Sequence, residues 1–299
     1  MIYVSSSSIN NSSIESSINE LIKLNIRNIE LSGGTNHSEN IASTLKKLKD
    51  KFSLNFLIHN YFPPPREDFV LNIASFNDKT RRRSIDFIKA SVDLAHEIGI
   101  GYYSVHAGYR KHFDPGTEGG YFVPDDSQNI SYDHALTIIH ESIFEIMDHA
   151  KKYNVSIGIE NLFPHIDSPD SSLLCTPDEI FKFLDTVTYN AGAILLLDLG
   201  HLCISANHFN FDKDKFLNTL LKKYHFRISW IHISGNDGIT DKHGPLSPDC
   251  WQLKAAQRFN LKKIPVTLEC RSLKAEEISN QYQMVKHILE GNIQQCCTT

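Results

Sequence analysis

The sequence predicts an α/β protein, a (β/α)8 TIM barrel built as one domain. Eight apolar runs of four to six residues recur along the chain, and segments with helical spacing separate them. Strands and helices that alternate throughout predict a parallel sheet, and eight such units favour its closure into a barrel. The 299 residues suit one barrel of this kind, which needs about 250 residues plus insertions. The runs lie near residues 1–4, 28–31, 54–59, 102–106, 155–160, 193–198, 228–233 and 264–269.

The helices between the runs are marked by apolar spacing and by capping chemistry. Residues 138–147 place isoleucines at helical intervals, and Gly99 closes the helix before the fourth strand. Residues 176–179, Thr-Pro-Asp-Glu, combine an N-cap, a first-turn proline and two acids, so a helix should begin there. The two longest connections, 60–80 and 107–130, both follow strands, on the side where a barrel carries its functional loops.

The composition favours a globular protein that does not enter a membrane. The chain is 41% hydrophobic and 22% charged, which is enough apolar mass for a core. No apolar stretch approaches the roughly 18 residues that span a bilayer, and the N-terminus lacks signal-peptide features, so we expect a cytoplasmic protein. A net charge of -5 argues against a generally basic nucleic-acid surface. The six cysteines show no CxxC pair and should be reduced.

We expect residues 1–299 to form one domain, with a C-terminal tail of about 291–299 that could be disordered. The sequence leaves the oligomeric state open, including a homo-oligomer.

Polar side chains of metal-ligand types end several of the apolar runs. An unpaired charge beside a run of Val, Ile and Leu costs several kcal/mol or more to bury, so a partner must satisfy it. Glu160, Asp198, His232 and Glu269 end the fifth to eighth strands, whose C-terminal ends meet at one mouth of a barrel. Three carboxylates and one imidazole suit a divalent cation, either Mn, Mg, Co or Zn. Such a site suits proton transfer on a sugar.

A second layer of candidate ligands surrounds these four. His201 lies three residues after Asp198, one of the first four, where a strand turns into its helix. Asp241 and His243 share one side of an extended loop. The layer could complete a cluster of two or three ions, or it could supply second-sphere donors and hydrogen bonds to a substrate. It comprises His59, His106, His201, Asp241 and His243.

The strand ends, the DLGH turn at 198–201 and the segment HISGNDGITDKH at 232–243 resemble the xylose-isomerase-like superfamily of TIM barrels, the AP endonuclease family 2. The superfamily holds sugar phosphate isomerase/epimerase-like proteins and the endonuclease IV family. In the first branch, the resemblance implies that the four strand-end residues bind one divalent metal, with Glu160 and Glu269 as the acid/base pair. In the second, it implies that three zinc ions are held by His59, His106, Glu160, Asp198, His201, His232, Asp241, His243 and Glu269.

Two segments distinguish the branches. His232 is followed by Ile-Ser-Gly-Asn-Asp-Gly and reaches Asp241 in nine positions, the short form of the isomerase/epimerase-like proteins. The segment HNYFPPPREDFVLNIAS, from His59, resembles the third strand region of the nuclease but carries an inserted proline-rich stretch. That insertion weakens any role of this loop in reading DNA.

Several residues near the mouth are candidates for substrate binding. Arg271, two residues after Glu269, could clamp a phosphate or carboxylate with paired hydrogen bonds. Tyr61 and Asn161 are further substrate-binding candidates. Aromatic residues on the two long connections could stack on a sugar ring or simply pack the surface: Tyr61, Phe62, Tyr109, Phe113, Tyr121 and Phe122.

The leading hypothesis is a metal-dependent isomerase or epimerase whose substrate is a small-molecule sugar or sugar phosphate. The alternative is a metal-dependent phosphodiester hydrolase of the endonuclease IV type, the one reading that requires a nucleic-acid partner. A barrel that keeps the site only for binding is a third possibility, which nine intact ligand types disfavour.

Overall fold

The computed structural model describes residues 1–116, 122–260, 263–271 and 273–291. Eight parallel strands close into a barrel and confirm the predicted fold class. The barrel strands are β1 (Ile2–Ser5), β2 (Asn28–Leu31), β3 (Asn55–His59), β4 (Tyr102–His106), β7 (Ser156–Glu160), β8 (Ile194–Asp198), β9 (Ile228–Ile233) and β10 (Val266–Leu268), and β10 pairs with β1. A short antiparallel pair, β5 (Phe113–Asp114) and β6 (Val123–Pro124), lies in the connection after β4 and was not predicted.

Helices connect the strands in the predicted alternation. The ten α-helices of the described residues are α1 (Ile14–Lys23), α2 (Ile41–Phe52), α3 (Asp78–Glu97), α4 (Tyr132–Lys151), α5 (Pro177–Phe183), α6 (Tyr189–Ala191), α7 (Leu199–His208), α8 (Lys213–Tyr224), α9 (Trp251–Ala256) and α10 (Ala275–Gly291). Short 3-10 turns occupy Ser6–Ser8, Pro169–Ser171 and His225–Arg227, and a π-helical turn occupies Leu184–Thr188. No helix of the described residues is long and apolar enough to cross a bilayer.

The helix predicted at 176–179 begins there for the reasons that the sequence gives. The Thr176 hydroxyl accepts a hydrogen bond from the Glu179 backbone N–H, and the Glu179 carboxylate accepts one from the Thr176 N–H. Pro177 occupies the first helical position, where no N–H is needed. This capping box fixes the start of α5.

The interior of the barrel is apolar at one end and polar at the other. Side chains alternate between the two faces of a strand, so Trp230 and His232 of β9 share the inner face while Ile231 packs against the helices. Tyr3, Leu57, Leu196 and Trp230 form the inner apolar cluster. The indole of Trp230 lies 5.7 Å from the ring of His232, so the polar end of the barrel begins one step along the strand.

Candidate metal centre

The structure brings the nine predicted ligand residues together at the C-terminal mouth of the barrel. They form overlapping groups in which one donor atom from each residue lies within 4.8 Å of the others. We call Glu160, Asp198, His232 and Glu269 the four-donor group, His59, His106 and Glu160 the inner triad, and His201, Asp241 and His243 the outer triad. His59, His232 and Glu269 form a further group that links the first two.

Glu160 lies at the centre of the nine. Its Oε2 is 3.3 Å from Nε2 of His59 and 3.5 Å from Nε2 of His106. Its Oε1 is 3.4 Å from Nδ1 of His232 and 3.6 Å from Nδ1 of His201. One carboxylate thus faces four imidazoles, and each of its oxygens points into a different donor group.

Several polar atoms of the centre are buried without hydrogen-bond partners among the described residues. Five such atoms belong to the nine residues: both carboxylate oxygens of Glu160, Oδ2 of Asp198, Oδ1 of Asp241 and Nδ1 of His232. Buried polar atoms are nearly always satisfied, so a cluster of orphans that face one another calls for a bound ion. Carboxylate oxygens and imidazole nitrogens are ligands that divalent metals accept, and the residues therefore fit a divalent cation.

In three histidines of the centre, Nδ1 lies within hydrogen-bond distance of a hydroxyl or a backbone carbonyl. Nδ1 of His59 lies 2.9 Å from the Ser104 hydroxyl, and Nδ1 of His201 lies 2.8 Å from the Asn161 carbonyl. Nδ1 of His243 lies 3.0 Å from the Glu269 carbonyl. Hydrogen bonds to the outer nitrogen fix the ring orientation of metal-binding histidines.

In His232 the two ring nitrogens exchange these roles. Its Nε2 lies 2.7 Å from the Glu30 carboxylate, and its Nδ1 faces the donor groups, 3.3 Å from Glu269 Oε2. Glu30 was not among the predicted residues, because it lies inside the run 28–31 and the signal was a ligand type at the end of a run. His106 is held less firmly, with its ring 3.3 Å from the Asn60 side-chain nitrogen.

Burial and mutual attraction shift the pKa values of the centre in opposite directions. Burial raises the pKa of the Glu160 carboxyl to about 7, against the opposing pull of His232. Burial also lowers the pKa of His106 to about 3. For His232, burial lowers the pKa, but neighbouring carboxylates outweigh it and leave the pKa well above its usual value. Burial raises and the nearby histidines lower the pKa of Glu269, which ends well below its ordinary value.

The outer triad is built on the loop after β9 and on α7. Gly235 and Gly244 form an isolated antiparallel bridge that closes this loop, and Asp241 and His243 lie inside it. Oδ2 of Asp241 is 2.7 Å from Nε2 of His243 and 3.6 Å from Nε2 of His201. His201 reaches the triad because Asp198 caps α7, its carboxylate accepting the His201 N–H at 2.7 Å. The DLGH turn therefore connects the outer triad to the four-donor group.

The predicted substrate-binding residues occupy different environments. The Arg271 guanidinium is 3.2 Å from Glu269 Oε1 and its side chain is 44% exposed, so it can reach a ligand at the mouth. Both amide atoms of buried Asn161 bond the backbone of Asp198, at 2.8 and 3.1 Å. Tyr61 accepts the Leu71 N–H at 2.6 Å and packs against Phe69. A substrate contact stays a prediction for all three.

The aromatic residues of the long connections pack mainly against one another. Tyr109 lies 4.7 Å from Phe113 and 6.1 Å from Phe122, measured between ring centroids. Tyr121 and the predicted tail beyond residue 291 lie outside the described residues. An aromatic ring that was not predicted, Phe163, stands 4.8 Å from the ring of His201 and is half-buried at the edge of the centre.

Comparison with known proteins decides the family. Residues 21–286 match the family model described as xylose isomerase-like TIM barrel. The chain belongs to this family. The xylose isomerase-like assignment made from the DLGH turn and the strand ends is thereby confirmed.

Relatives of this xylose isomerase-like barrel are distant. Uncharacterized protein MJ1311 of Methanocaldococcus jannaschii is 25% identical over 200 residues, which are 67% of this chain and 57% of that protein. Fructoselysine 3-epimerase of Shigella flexneri is 21% identical over 233 residues, 77% of this chain and 74% of that enzyme. The crystal structure of a D-tagatose 3-epimerase-like protein superposes with a TM-score of 0.74 at 19% identity and covers 99% of both chains. At that identity the superposition shows a shared fold.

Proposed function

We propose that the protein is a divalent-metal-dependent isomerase or epimerase acting on a sugar or sugar phosphate. The observation that carries the proposal is the four-donor group, in which three carboxylates and one imidazole are buried with their donor atoms within 4.8 Å of one another. The names of the similar proteins, fructoselysine 3-epimerase and D-tagatose 3-epimerase-like protein, support the same reaction class.

The two glutamates suit transfer of a proton on and off carbon. Glu160 would take the proton from the carbon beside a substrate carbonyl, and Glu269 would return one. Glu160 ends β7 and Glu269 directly follows β10, and β8 and β9 separate these strands, so the two carboxylates approach a common point from different directions. A proton can then leave from one face of the carbon and return to the other, which is what epimerisation requires.

A divalent cation held by Glu160, Asp198, His232 and Glu269 would polarise the substrate oxygen when bound. The remaining roles belong to the chain itself. Arg271 would bind an anionic or hydroxyl oxygen of the substrate, because its guanidinium is partly exposed beside Glu269. Phe163 would cover the ring of the sugar from the side of His201.

The test measures proton exchange rather than one chosen product. Wild type, Glu160→Gln and Glu269→Gln are incubated in D2O with a panel of ketopentoses, ketohexoses and their phosphates. Wild type should incorporate deuterium at carbon with at least one sugar, and both variants should lose this activity while the fold melts normally. Glu141→Gln, on the exposed face of α4, serves as the matched control. Unchanged exchange in either glutamate variant would exclude it from the acid/base pair.

A second candidate function is metal-dependent phosphodiester hydrolysis. It is favoured by the inner and outer triads, because an isomerase site needs only the four-donor group and five further ligand residues converge beside it. Three divalent ions would turn a centre of four carboxylates into a positively charged one that attracts a phosphodiester. The catalytic contribution of such ions is to supply a hydroxide nucleophile.

Metal stoichiometry divides the two candidates. The protein is purified without chelator and its Zn, Mn, Co and Mg contents are measured per chain by mass spectrometry. One tightly held ion together with deuterium exchange on a sugar supports the isomerase. Three ions together with nicking of a duplex that contains an abasic site support the hydrolase.

A further inference from the structure

Glu30 is a carboxylate buried inside the barrel, on β2. The buried carboxylates of the described residues are Glu30 and the three of the four-donor group, so Glu30 alone has no place among the predicted ligands. Its side chain is fully shielded from solvent, and its Oε1 has no hydrogen-bond partner among the described residues. Burial of an unpaired charge costs several kcal/mol, so the role of Glu30 must be sought in the group that pairs with it.

The partner of Glu30 is His232, which belongs both to the four-donor group and to the group it forms with His59 and Glu269. Oε2 of Glu30 lies 2.7 Å from Nε2 of His232 and accepts a hydrogen bond from the Thr267 hydroxyl at 2.9 Å. The Thr267 hydroxyl in turn accepts the Trp230 indole N–H at 2.9 Å. An indole nitrogen only donates, so the hydroxyl must direct its own proton to Glu30. The direction of donation in this series, from Trp230 through Thr267 to Glu30, is therefore fixed.

This series of hydrogen bonds determines which nitrogen of His232 carries the proton. A carboxylate oxygen accepts, so Nε2 is the donor, and in the neutral ring Nδ1 keeps its lone pair. That lone pair faces Glu160 Oε1 at 3.4 Å and Glu269 Oε2 at 3.3 Å. The outer partners of His59, His201 and His243 are a hydroxyl and two carbonyls, whereas the partner of His232 is a carboxylate.

We propose that Glu30 is a positioning residue that holds His232 in the tautomer with a free Nδ1 and strengthens its binding of a divalent cation. The inference rests on the metal dependence proposed above. A carboxylate behind a metal-bound imidazole makes the ring a stronger ligand, and loss of such a partner costs about 10- to 100-fold in metal affinity. This role explains why a charge is retained among apolar strands.

The test compares Glu30→Gln with Glu179→Gln. Glutamine at 30 keeps the shape and an acceptor but removes the charge. Glu179 is also largely enclosed, but it caps α5 on the outside of the barrel. Affinity for Mn2+ is measured by competition with a chromophoric chelator, and the melting temperature is measured on the metal-free proteins. Glu30→Gln should bind Mn2+ about 10- to 100-fold more weakly. Its metal-free form should also melt below wild type, because one partner of a buried pair is removed. Glu179→Gln should leave both the affinity and the melting temperature close to those of wild type, because glutamine also completes a capping box.

A second measurement covers the case in which Glu30→Gln does not fold. Long-range 15N–1H NMR of metal-free wild type, at a pH where the His232 ring is neutral, should show its single proton on Nε2, and Thr267→Val should increase the population of the other tautomer. Equal Mn2+ affinity of wild type and Glu30→Gln, or a neutral His232 ring whose single proton lies on Nδ1, would overturn the proposal. A wild type that binds no divalent ion would instead refute the metal dependence of the proposed function.

Discussion

Gly235→Ala tests whether the loop after β9 builds the outer triad. A Cβ at Gly235 would lie 2.1 Å from the Pro245 carbonyl oxygen and 2.7 Å from its carbon. Real Cβ contacts essentially never fall below 3.0 Å, so the two backbones must separate by at least the difference, 3.0 − 2.1 = 0.9 Å. The obstacle is backbone, and no side-chain rotation relieves it.

The separation breaks the bridge that closes the loop. Gly235 N–H donates to Gly244 O at 2.9 Å and Gly244 N–H donates to Gly235 O at 2.6 Å. Two hydrogen bonds at about 1 kcal/mol each give a loss of about 2 kcal/mol. Unfolding entropy of about 2.1 cal/mol/K per residue gives about 0.63 kcal/mol/K for 299 residues, so the melting temperature should fall by about 3 °C.

The same movement should displace the donors of the outer triad. His243 directly precedes Gly244, and metal-ligand distances tolerate only about 0.2 Å. Scanning calorimetry gives the stability change. If the wild type carries more than one ion, mass spectrometry of the purified variant should also show a lower metal content, with the ion of the four-donor group retained. Gly101→Ala is the control, because its nearest contact would be 4.0 Å away. A Gly235→Ala protein with wild-type stability and metal content would refute this account of the loop.

Four further predictions follow from the described contacts. Removal of metal with EDTA should lower the melting temperature, since an ion at 100 times its Kd stabilises a fold by about 2.7 kcal/mol; an unchanged melting temperature would contradict a bound ion. Thr176→Ala should cost about 1 kcal/mol in chemical denaturation by removing the cap of α5, and Thr137→Ala, on exposed α4, should cost less. Arg271→Met should raise KM for a sugar phosphate about 10- to 100-fold, because a hydrogen bond to a charged group contributes about 1.5–3 kcal/mol; an equal rise for the unphosphorylated sugar would argue against a phosphate clamp. Burial raises the pKa of the Cys175 thiol well above its usual value, so iodoacetamide at pH 8 should leave Cys175 unlabelled until the protein unfolds, as peptide mapping can show.

The sequence was sufficient for the barrel and for the first sphere of the centre because both depend on strand periodicity. Each candidate ligand outside the loop after β9 lies at or near the end of an apolar run, and parallel strands bring such ends to one mouth. The register confirms the logic, with His106 beside Glu160 and Asp198 beside His232 on neighbouring strands. Local spacing cannot predict contacts between distant segments. Glu30 and His232 are 202 positions apart, and only the closed barrel joins them.

Side-chain use was harder to predict than position. Asn161 follows Glu160 directly, but both ends of its amide hold the Asp198 backbone. Tyr61 was a candidate for stacking on a sugar, and its hydroxyl is engaged by Leu71 within an aromatic cluster. Whether a polar group faces a ligand or the adjacent backbone depends on rotamers and loop paths, which apolar spacing does not encode. The loop bridge between Gly235 and Gly244 is hidden from the sequence for the same reason.

The barrel's two-ended interior explains how the centre can hold so many ionisable groups. The inner cluster of Tyr3, Leu57, Leu196 and Trp230 supplies apolar burial at one end, and Trp230 passes a hydrogen bond through Thr267 to Glu30. The polar groups of the strand ends begin next to this layer, and its hydrogen bonds help to orient His232. Rigid support of this kind lowers the cost of holding like charges at a fixed geometry. Substitutions in this inner apolar cluster should therefore weaken metal binding even though they alter no candidate ligand.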